Sequence, residues 1–97
     1  PLLIDFLENT KKYRWEYSAI AARSLAIYPG DRTVAALKRS LNNPNWYVRN
    51  NASISLQQFN IPFSEYIDIL EGKDRYAREI MQYRLQRVKL GKEAALT

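Results

Sequence analysis

Two pairs of acidic residues in this chain have a spacing that suits proton transfer, Asp68 with Glu71 and Asp74 with Glu79. Such a pair can supply a general acid and a general base. The sequence contains no histidine and no cysteine, however, so the usual base near neutral pH and any thiolate nucleophile or metal ligand are missing. Solvated charges and helix caps account for these carboxylates better. We therefore predict a chain that is not an enzyme and has no catalytic residue, cofactor or metal site.

Arginines and tryptophans recur at spacings that would suit ligand contacts. Arg49 and Arg78 are 29 residues apart, and Trp15 and Trp46 are 31 residues apart. A ladder of arginines could bind phosphates, and exposed indoles could stack on a planar ligand. For the tryptophans we favour a structural interpretation, in which each one is a wedge between helices.

The overall composition limits the class of protein without identifying a function. The 97 residues are 46% hydrophobic, which is sufficient for one small domain with a modest core. No apolar run approaches the roughly 20 residues that span a bilayer, and no signal peptide is visible. The absence of cysteine fits a reducing compartment. We predict a cytoplasmic location, or the cytoplasmic face of a membrane if a longer parent chain is anchored there.

The net charge of +5 is compatible with several kinds of partner. Nucleic acid, an anionic membrane and an acidic protein would all be attracted by it. Four cations, Arg84, Arg87, Lys89 and Lys92, precede Glu93 near the end of the chain. The favoured interpretation is a solvated helix end, where cations lie close to the negative end of the helix dipole.

The strongest regularity in the sequence is a threefold repeat. The matched residues are Trp15, Ala21 and Leu25, then Trp46, Ala52 and Leu56, then Met81 and Leu85. A period of about 30 residues is typical of stacked-repeat architectures, which offer extended surfaces more readily than closed pockets. We predict a single domain over residues 1–97, with repeats at about 1–30, 31–60 and 61–90. Because the chain begins with Pro1 and not Met, we expect it to be a fragment of a longer protein.

Each repeat divides into two helix-forming segments separated by turn signals. In the second repeat Val34, Leu37 and Leu41 share one helical face, after Asp31 as a predicted N-cap. Pro44 then breaks the helix, and a second helix is predicted over about 45–59. The residues predicted to face inward on the second helices are Val48, Ala52, Leu56 and Phe59 in the second repeat, and Ala77, Met81, Leu85 and Val88 in the third.

The other two repeats follow the same plan. In the third repeat the apolar face of the first helix is formed by Phe63, Tyr66 and Leu70, which match the apolar face of the second repeat. Gly72 is predicted to be a left-handed C-cap of that helix, and Asp74 the N-cap of the next helix. In the first, a second helix is predicted over about 13–28. Six helices and no strand-like alternation predict an all-α fold, a right-handed α-solenoid of three helical hairpins.

The segment from Leu37 to Leu56 resembles the short bacterial HEAT repeat found in phycobilin lyase subunits and in bacterial scaffolding proteins. The shared pattern is leucines, an amide-rich turn, Trp, Val-Arg, small residues and Leu. The third repeat is similar, whereas the first has Ser18 in place of the arginine and Lys11 and Lys12 in a turn that is usually acidic. The resemblance implies that Arg49 and Arg78 bond to acidic or carbonyl groups of adjacent turns and hold the repeats in register.

In a HEAT solenoid the second helices line the concave side, so their outward positions are the predicted partner-binding residues. These are Glu16, Arg23, Tyr47, Asn50, Ile54, Gln57, Tyr76, Glu79, Tyr83 and Gln86. Tyrosine offers a large contact area at little cost in rotamer entropy. We predict a non-catalytic protein-binding scaffold or adaptor, although Tyr76 and Tyr83 could instead cover a neighbouring repeat or terminal cap.

Three other interpretations stay open at this stage. One is nucleic-acid binding, as in HEAT-like DNA alkylation repair glycosylases, and another is an accessory subunit of a lyase-type enzyme. A third is self-association through apolar ends of the stack. The residues that suggest it are Leu2, Leu3, Phe6, Val88 and Leu90.

Overall fold

The computed structural model describes residues 2–59 and 61–96, with side chains for 2–59, 61–62 and 64–87. Its helices are α1 (Leu2–Glu8), α2 (Trp15–Ser24), α3 (Asp31–Arg39), α4 (Trp46–Gln58), α5 (Phe63–Glu71) and α6 (Arg75–Leu96). Short 3-10 turns continue α2 over Leu25–Ile27 and α3 over Ser40–Asn42. Within these described ranges there is no strand, and the prediction of an all-α chain of six helices is confirmed. None of these helices combines the length and the apolar character needed to cross a bilayer.

Local hydrogen bonds explain where α4 and α6 begin. The Asn45 side chain accepts hydrogen bonds from the backbone nitrogens of Tyr47, at 2.9 Å, and Val48, at 3.3 Å, and so caps α4. Asp74 accepts one from the nitrogen of Ala77 at 3.2 Å, as predicted for the start of α6. The third repeat therefore uses a carboxylate where the second uses an amide.

Two predicted helix ends differ in the structure. Asp31 is the first residue of α3 and not its cap, because Gly30 precedes the helix with a φ of 146° that other residues rarely adopt. Gly72 ends α5 in an extended conformation, with φ −69° and ψ 169°. The prediction that it forms a left-handed C-cap was therefore wrong. Limited space favours glycine at position 72, because a Cβ there would lie 3.1 Å from the carbonyl oxygen of Asp68.

The second helices pack side by side, α2 against α4 and α4 against α6. The first helices lie against them, with α1 on α2, α3 on α4 and α5 on α6. Ion pairs connect the first helices to one another: Arg39 pairs with Glu8 of α1, and Lys38 with Glu65 of α5 at 2.8 Å. Each hairpin therefore contacts the next one along the chain.

The core lies between these two sets of helices and follows the predicted apolar faces. The fully buried side chains include Leu7, Leu25, Leu37, Leu41, Val48, Ala52, Leu56 and Met81. Ala77 is also buried, whereas Val34, Phe59, Tyr66, Leu70 and Leu85 are only half-buried. The predicted inward residues Phe63 and Val88 lie outside the residues whose side chains are described.

Buried serines and an amide connect neighbouring helices through backbone carbonyls. Ser55 Oγ donates to the carbonyl of Ala22 at 2.5 Å, and Asn51 Nδ2 donates to that of Ala19 at 2.9 Å, both from α4 to α2. In the first repeat, Ser18 Oγ donates to the carbonyl of Phe6 at 3.0 Å. Small polar side chains thus allow close helix approach while their own polar atoms stay satisfied.

Candidate protein-binding surface

Four aromatic side chains form a continuous chain of contacts across all three second helices. Trp15 of α2 stacks on Tyr47 of α4, with ring centroids 5.7 Å apart and planes 19° apart. Tyr47 meets Trp46 edge to face at 5.5 Å, and Trp46 meets Tyr83 of α6 edge to face at 6.2 Å. These are the offset-stacked and T-shaped geometries that aromatic pairs prefer. We call Trp15, Trp46, Tyr47 and Tyr83 the aromatic surface.

Two residues of this surface lie at helix starts. Trp15 and Trp46 are the first residues of α2 and α4, and the cap by Asn45 fixes the second of them relative to its helix. Trp15 is 47% and Trp46 is 44% exposed. The expectation of tryptophan wedges therefore needs correction, because both indoles bridge successive helices at the surface and keep nearly half of their area in solvent.

Both repeated arginines bind turns. Arg49 Nη1 donates to the carbonyl oxygens of Asn43 at 2.8 Å and Pro44 at 2.9 Å. Arg78 Nη1 donates to the carbonyl of Gly72 at 2.8 Å, six residues earlier as in the first case. The carbonyl contacts implied by the resemblance are present, but each arginine binds the turn of its own hairpin. One nitrogen of each guanidinium is thus engaged by a turn carbonyl, which favours a structural role over a phosphate ladder.

The three tyrosines among the predicted partner-binding residues are all exposed. Tyr47, Tyr76 and Tyr83 are each more than 40% exposed, and Tyr47 and Tyr83 belong to the aromatic surface. Tyr76 is connected to it indirectly, since the guanidinium carbon of Arg49 lies 4.4 Å from the centroid of the Tyr76 ring. Of the remaining residues, Arg23 and Gln86 are exposed and Ile54 and Gln57 are half-buried.

Three of the predicted partner-binding residues, Glu79, Glu16 and Asn50, already contact arginines within the chain. Glu79 accepts a hydrogen bond from Arg75 Nε at 2.8 Å, and this bond and charge lower the pKa of its carboxyl group. Glu16 lies 3.5 Å from Arg14, while its Oε1 is buried without a hydrogen bond. Asn50 Oδ1 accepts a hydrogen bond from Arg84 Nη2, so this amide oxygen stabilises the contact between α4 and α6.

Arg84 also contributes to this face, although the repeat pattern did not predict it there. Its Nε donates to Ser53 Oγ at 3.2 Å, which, with the bond to Asn50, fixes the guanidinium against α4. Burial lowers the pKa of Arg84, and the charges of Arg87 and Arg23 lower it further. We call Arg23, Arg84 and Arg87 the arginine cluster. None of the three forms an ion pair with any residue that the structure describes.

Two depressions lie along this face. One of about 120 Å³ is lined by Trp46 and Tyr83 with Arg49, Glu79 and Ile80. Another of about 360 Å³ lies between Trp15 and the turn at Asn43–Asn45. Sites for drug-sized ligands usually measure about 300–1,000 Å³ and enclose the ligand. Among the described residues, no three His, Cys, Asp or Glu side chains are grouped to ligate a metal ion.

A second exposed apolar region is formed by isoleucines of α2 and of the 3-10 turn that continues it. Ile20 is 64% and Ile27 is 75% exposed. In the other repeats the position of Ile20 is taken by Asn51, which bonds to α2, and by Ile80, which is buried. Of the residues expected at the apolar ends, Leu2 is exposed and Leu3 and Phe6 are half-buried; the side chains of Val88 and Leu90 are outside the described residues.

A short sequence signal could have identified the aromatic surface. Each tryptophan directly follows a turn, and Trp46 precedes Tyr47, one of the predicted outward residues. An indole at the first position of a helix has no preceding turn of helix to pack against.

No protein-family model, curated protein or solved structure matches this chain at the level required for significance.

Proposed function

We propose that this chain is a segment of a HEAT-like α-solenoid that binds a partner protein without catalysing a reaction. The binding face is the one formed by α2, α4 and α6. The observation that carries this proposal is the aromatic surface, in which half-exposed side chains from three helices hold one another in place. A cytoplasmic location, or the cytoplasmic face of a membrane, is part of the proposal.

Equivalent hydrogen bonds in successive hairpins support the solenoid. Arg49 and Arg78 contact carbonyls six residues before them in corresponding turns. Ser55 bonds from α4 to α2, and Arg84, at the matching position 29 residues later, bonds from α6 to α4. A stack in which each unit contacts only its neighbours requires interfaces of this repeating kind.

The chemistry of the face favours a protein over a small molecule. Tyrosine, tryptophan and arginine are the side chains most enriched at energetically important interface positions. Mutual packing of the four rings reduces the rotamer entropy that binding would otherwise cost, because their orientations are set before a partner arrives. The depression between Trp46 and Tyr83 is only about 120 Å³, below the usual volume of a site for a drug-sized ligand, so contact with an extended surface or segment suits these rings better than enclosure of a metabolite.

Affinity capture from a lysate of the source organism tests this proposal. The chain is immobilised as the wild type and as a Tyr47→Ala, Tyr83→Ala double variant, and retained proteins are quantified by mass spectrometry. Tyr47 and Tyr83 are exposed, so the variant is expected to keep its helical circular dichroism while it loses a retained protein. A loss of about tenfold or more would correspond to the energy of one interface hot spot.

The matched control is Tyr28→Ala, which removes an exposed tyrosine that directly follows the 3-10 turn after α2, outside the aromatic surface. This control should retain the same protein as the wild type does. Equal capture by the wild type and the double variant would show that the aromatic surface is not the binding face, and the proposal would then fail.

A further inference from the structure

Among the residues whose side chains the structure describes, the arginine cluster has no counter-charge, whereas Glu79 and Glu16 on the same face have cationic neighbours. Glu79 is paired with Arg75, and Glu16 lies beside Arg14. Arg23 comes from α2, whereas Arg84 and Arg87 come from α6, so the cluster spans both sides of α4. Its three positive charges have no carboxylate partner among the described residues. A ligand that supplies negative charge would relieve this repulsion.

The helix dipole accounts for only one member of the cluster. Arg23 lies in the last turn of α2, where a cation is favoured. Arg84 and Arg87 lie in the middle of the 22-residue helix α6, outside its first and last turns. The dipole effect is confined to the first and last turns, so it gives no reason for two cations at these positions.

Arg84 is also held in place before any ligand arrives. Two hydrogen bonds, to Ser53 and Asn50, fix its guanidinium, and the neighbouring Tyr83 ring has its centroid 5.4 Å from Arg84 Cζ. A guanidinium that is already positioned loses less entropy when it binds a carboxylate, and such pairs are frequently bidentate. Tyr83 belongs to the aromatic surface as well, so an apolar contact is available immediately beside the charge.

We propose that the arginine cluster recognises an acidic segment of the partner protein, whose carboxylates bind the guanidinium groups while an adjacent apolar side chain contacts Tyr83. This inference rests on the proposed protein-binding function and specifies the chemistry of the partner. Arg23 and Arg87 are exposed and supply the charge attraction. Arg84 supplies the directional contact because its orientation is fixed.

Fluorescence anisotropy with defined peptides tests the inference. The probes are a labelled peptide of repeating Glu-Pro-Leu triplets, the same peptide with lysine in place of glutamate, and a single-stranded oligothymidylate of equal charge. Wild-type protein is expected to bind the glutamate peptide about tenfold or more tightly than the lysine peptide. Binding of the glutamate peptide should weaken as salt is raised, because exposed charges are screened.

Charge-matched variants locate the binding site. Arg23→Gln with Arg87→Gln is expected to weaken binding of the glutamate peptide about tenfold. Arg32→Gln with Lys73→Gln removes the same charge from exposed positions in α3 and in the turn before α6, and should leave the affinity unchanged within about twofold. Equal weakening by both double variants would show that only net charge matters, and the site would be rejected.

The remaining outcomes separate this inference from the proposed function. Equal affinity for the two peptides, or no binding of either, overturns the acidic-segment inference, while capture that depends on Tyr47 and Tyr83 would still support protein binding. Tight binding of oligothymidylate that is lost in Arg23→Gln, Arg87→Gln, without binding of the glutamate peptide, overturns the inference and identifies the face as a nucleic-acid site.

Discussion

The guanidinium carbon of Arg49 lies 4.4 Å from the centroid of the Tyr76 ring, which connects α4 to α6. The same guanidinium donates through Nη1 to the carbonyls of Asn43 and Pro44 in the turn before α4. One side chain thus fixes a turn, a helix and the next hairpin relative to one another. The first repeat has Ser18 at this position, and its hydroxyl reaches α1.

Replacement of Arg49 tests this arrangement. Arg49→Met keeps an unbranched chain but leaves two turn carbonyls without their donor, so the free energy of unfolding should fall by about 1–3 kcal/mol. Urea denaturation followed by circular dichroism measures the change. The control Arg32→Met removes an exposed arginine that has no partner among the described residues, and should stay within about 0.5 kcal/mol of wild type. Similar losses in both variants would contradict a specific role for Arg49.

The cap at the start of α4 provides a second prediction. Asn45→Ala removes the side-chain oxygen that accepts from Tyr47 and Val48, and should lower the free energy of unfolding by about 1 kcal/mol. Thermal unfolding monitored by circular dichroism gives the change in midpoint. Asn42→Ala, at an exposed position in the same connection, is the matched variant and should unfold as the wild type does. A midpoint shared by all three proteins would rule out the cap.

Core packing predicts the largest single effect on stability. Leu56 is fully buried, so Leu56→Ala should lower the free energy of unfolding by about 2–5 kcal/mol through lost burial and the remaining cavity. Leu2→Ala makes the same chemical change at a position that is 63% exposed, and should cost far less. Chemical denaturation of the three proteins compares them. Equal losses in the two variants would mean that burial is not the cause.

Burial, assisted by the neighbouring Glu65 charge, raises the pKa of Tyr66 from 10.0. The folded state then holds this proton more tightly than the unfolded state does. Its contribution to stability is complete below pH 10.0 and is lost as the pH rises through the folded-state pKa. From about pH 9 to about pH 11, the free energy of unfolding of the wild type should therefore fall more than that of Tyr66→Phe.

Urea titrations at each pH measure this difference, and Tyr28→Phe corrects for the loss of one phenol elsewhere on the surface. If the curves for the wild type and Tyr66→Phe stay parallel across the range, the raised pKa of Tyr66 does not contribute to stability. A smaller fall in the wild type than in the variant would reverse the predicted sign.

The helices and much of the core could be predicted from the sequence because local rules decide them. Leu37, Val48 and Leu56 recur on helical faces, and a face of that kind is buried wherever another helix covers it. Asp74 could likewise be predicted as a cap, since capping depends on bonds within a few residues. The conformation of Gly72 could not, because glycine adopts left-handed and extended conformations about equally easily and the sequence does not choose between them.

The repeat alone determined six helices, their turns and the outward positions of Tyr47, Tyr76 and Tyr83, since these depend on periodicity within each helix. Only the tertiary structure decided that Trp15 stacks on Tyr47 and that Arg84 reaches Asn50. Both contacts join residues more than 30 positions apart, and the distance between them depends on how closely neighbouring helices approach. Helical periodicity contains no information about that distance, so the candidate surface became visible only in the packed chain.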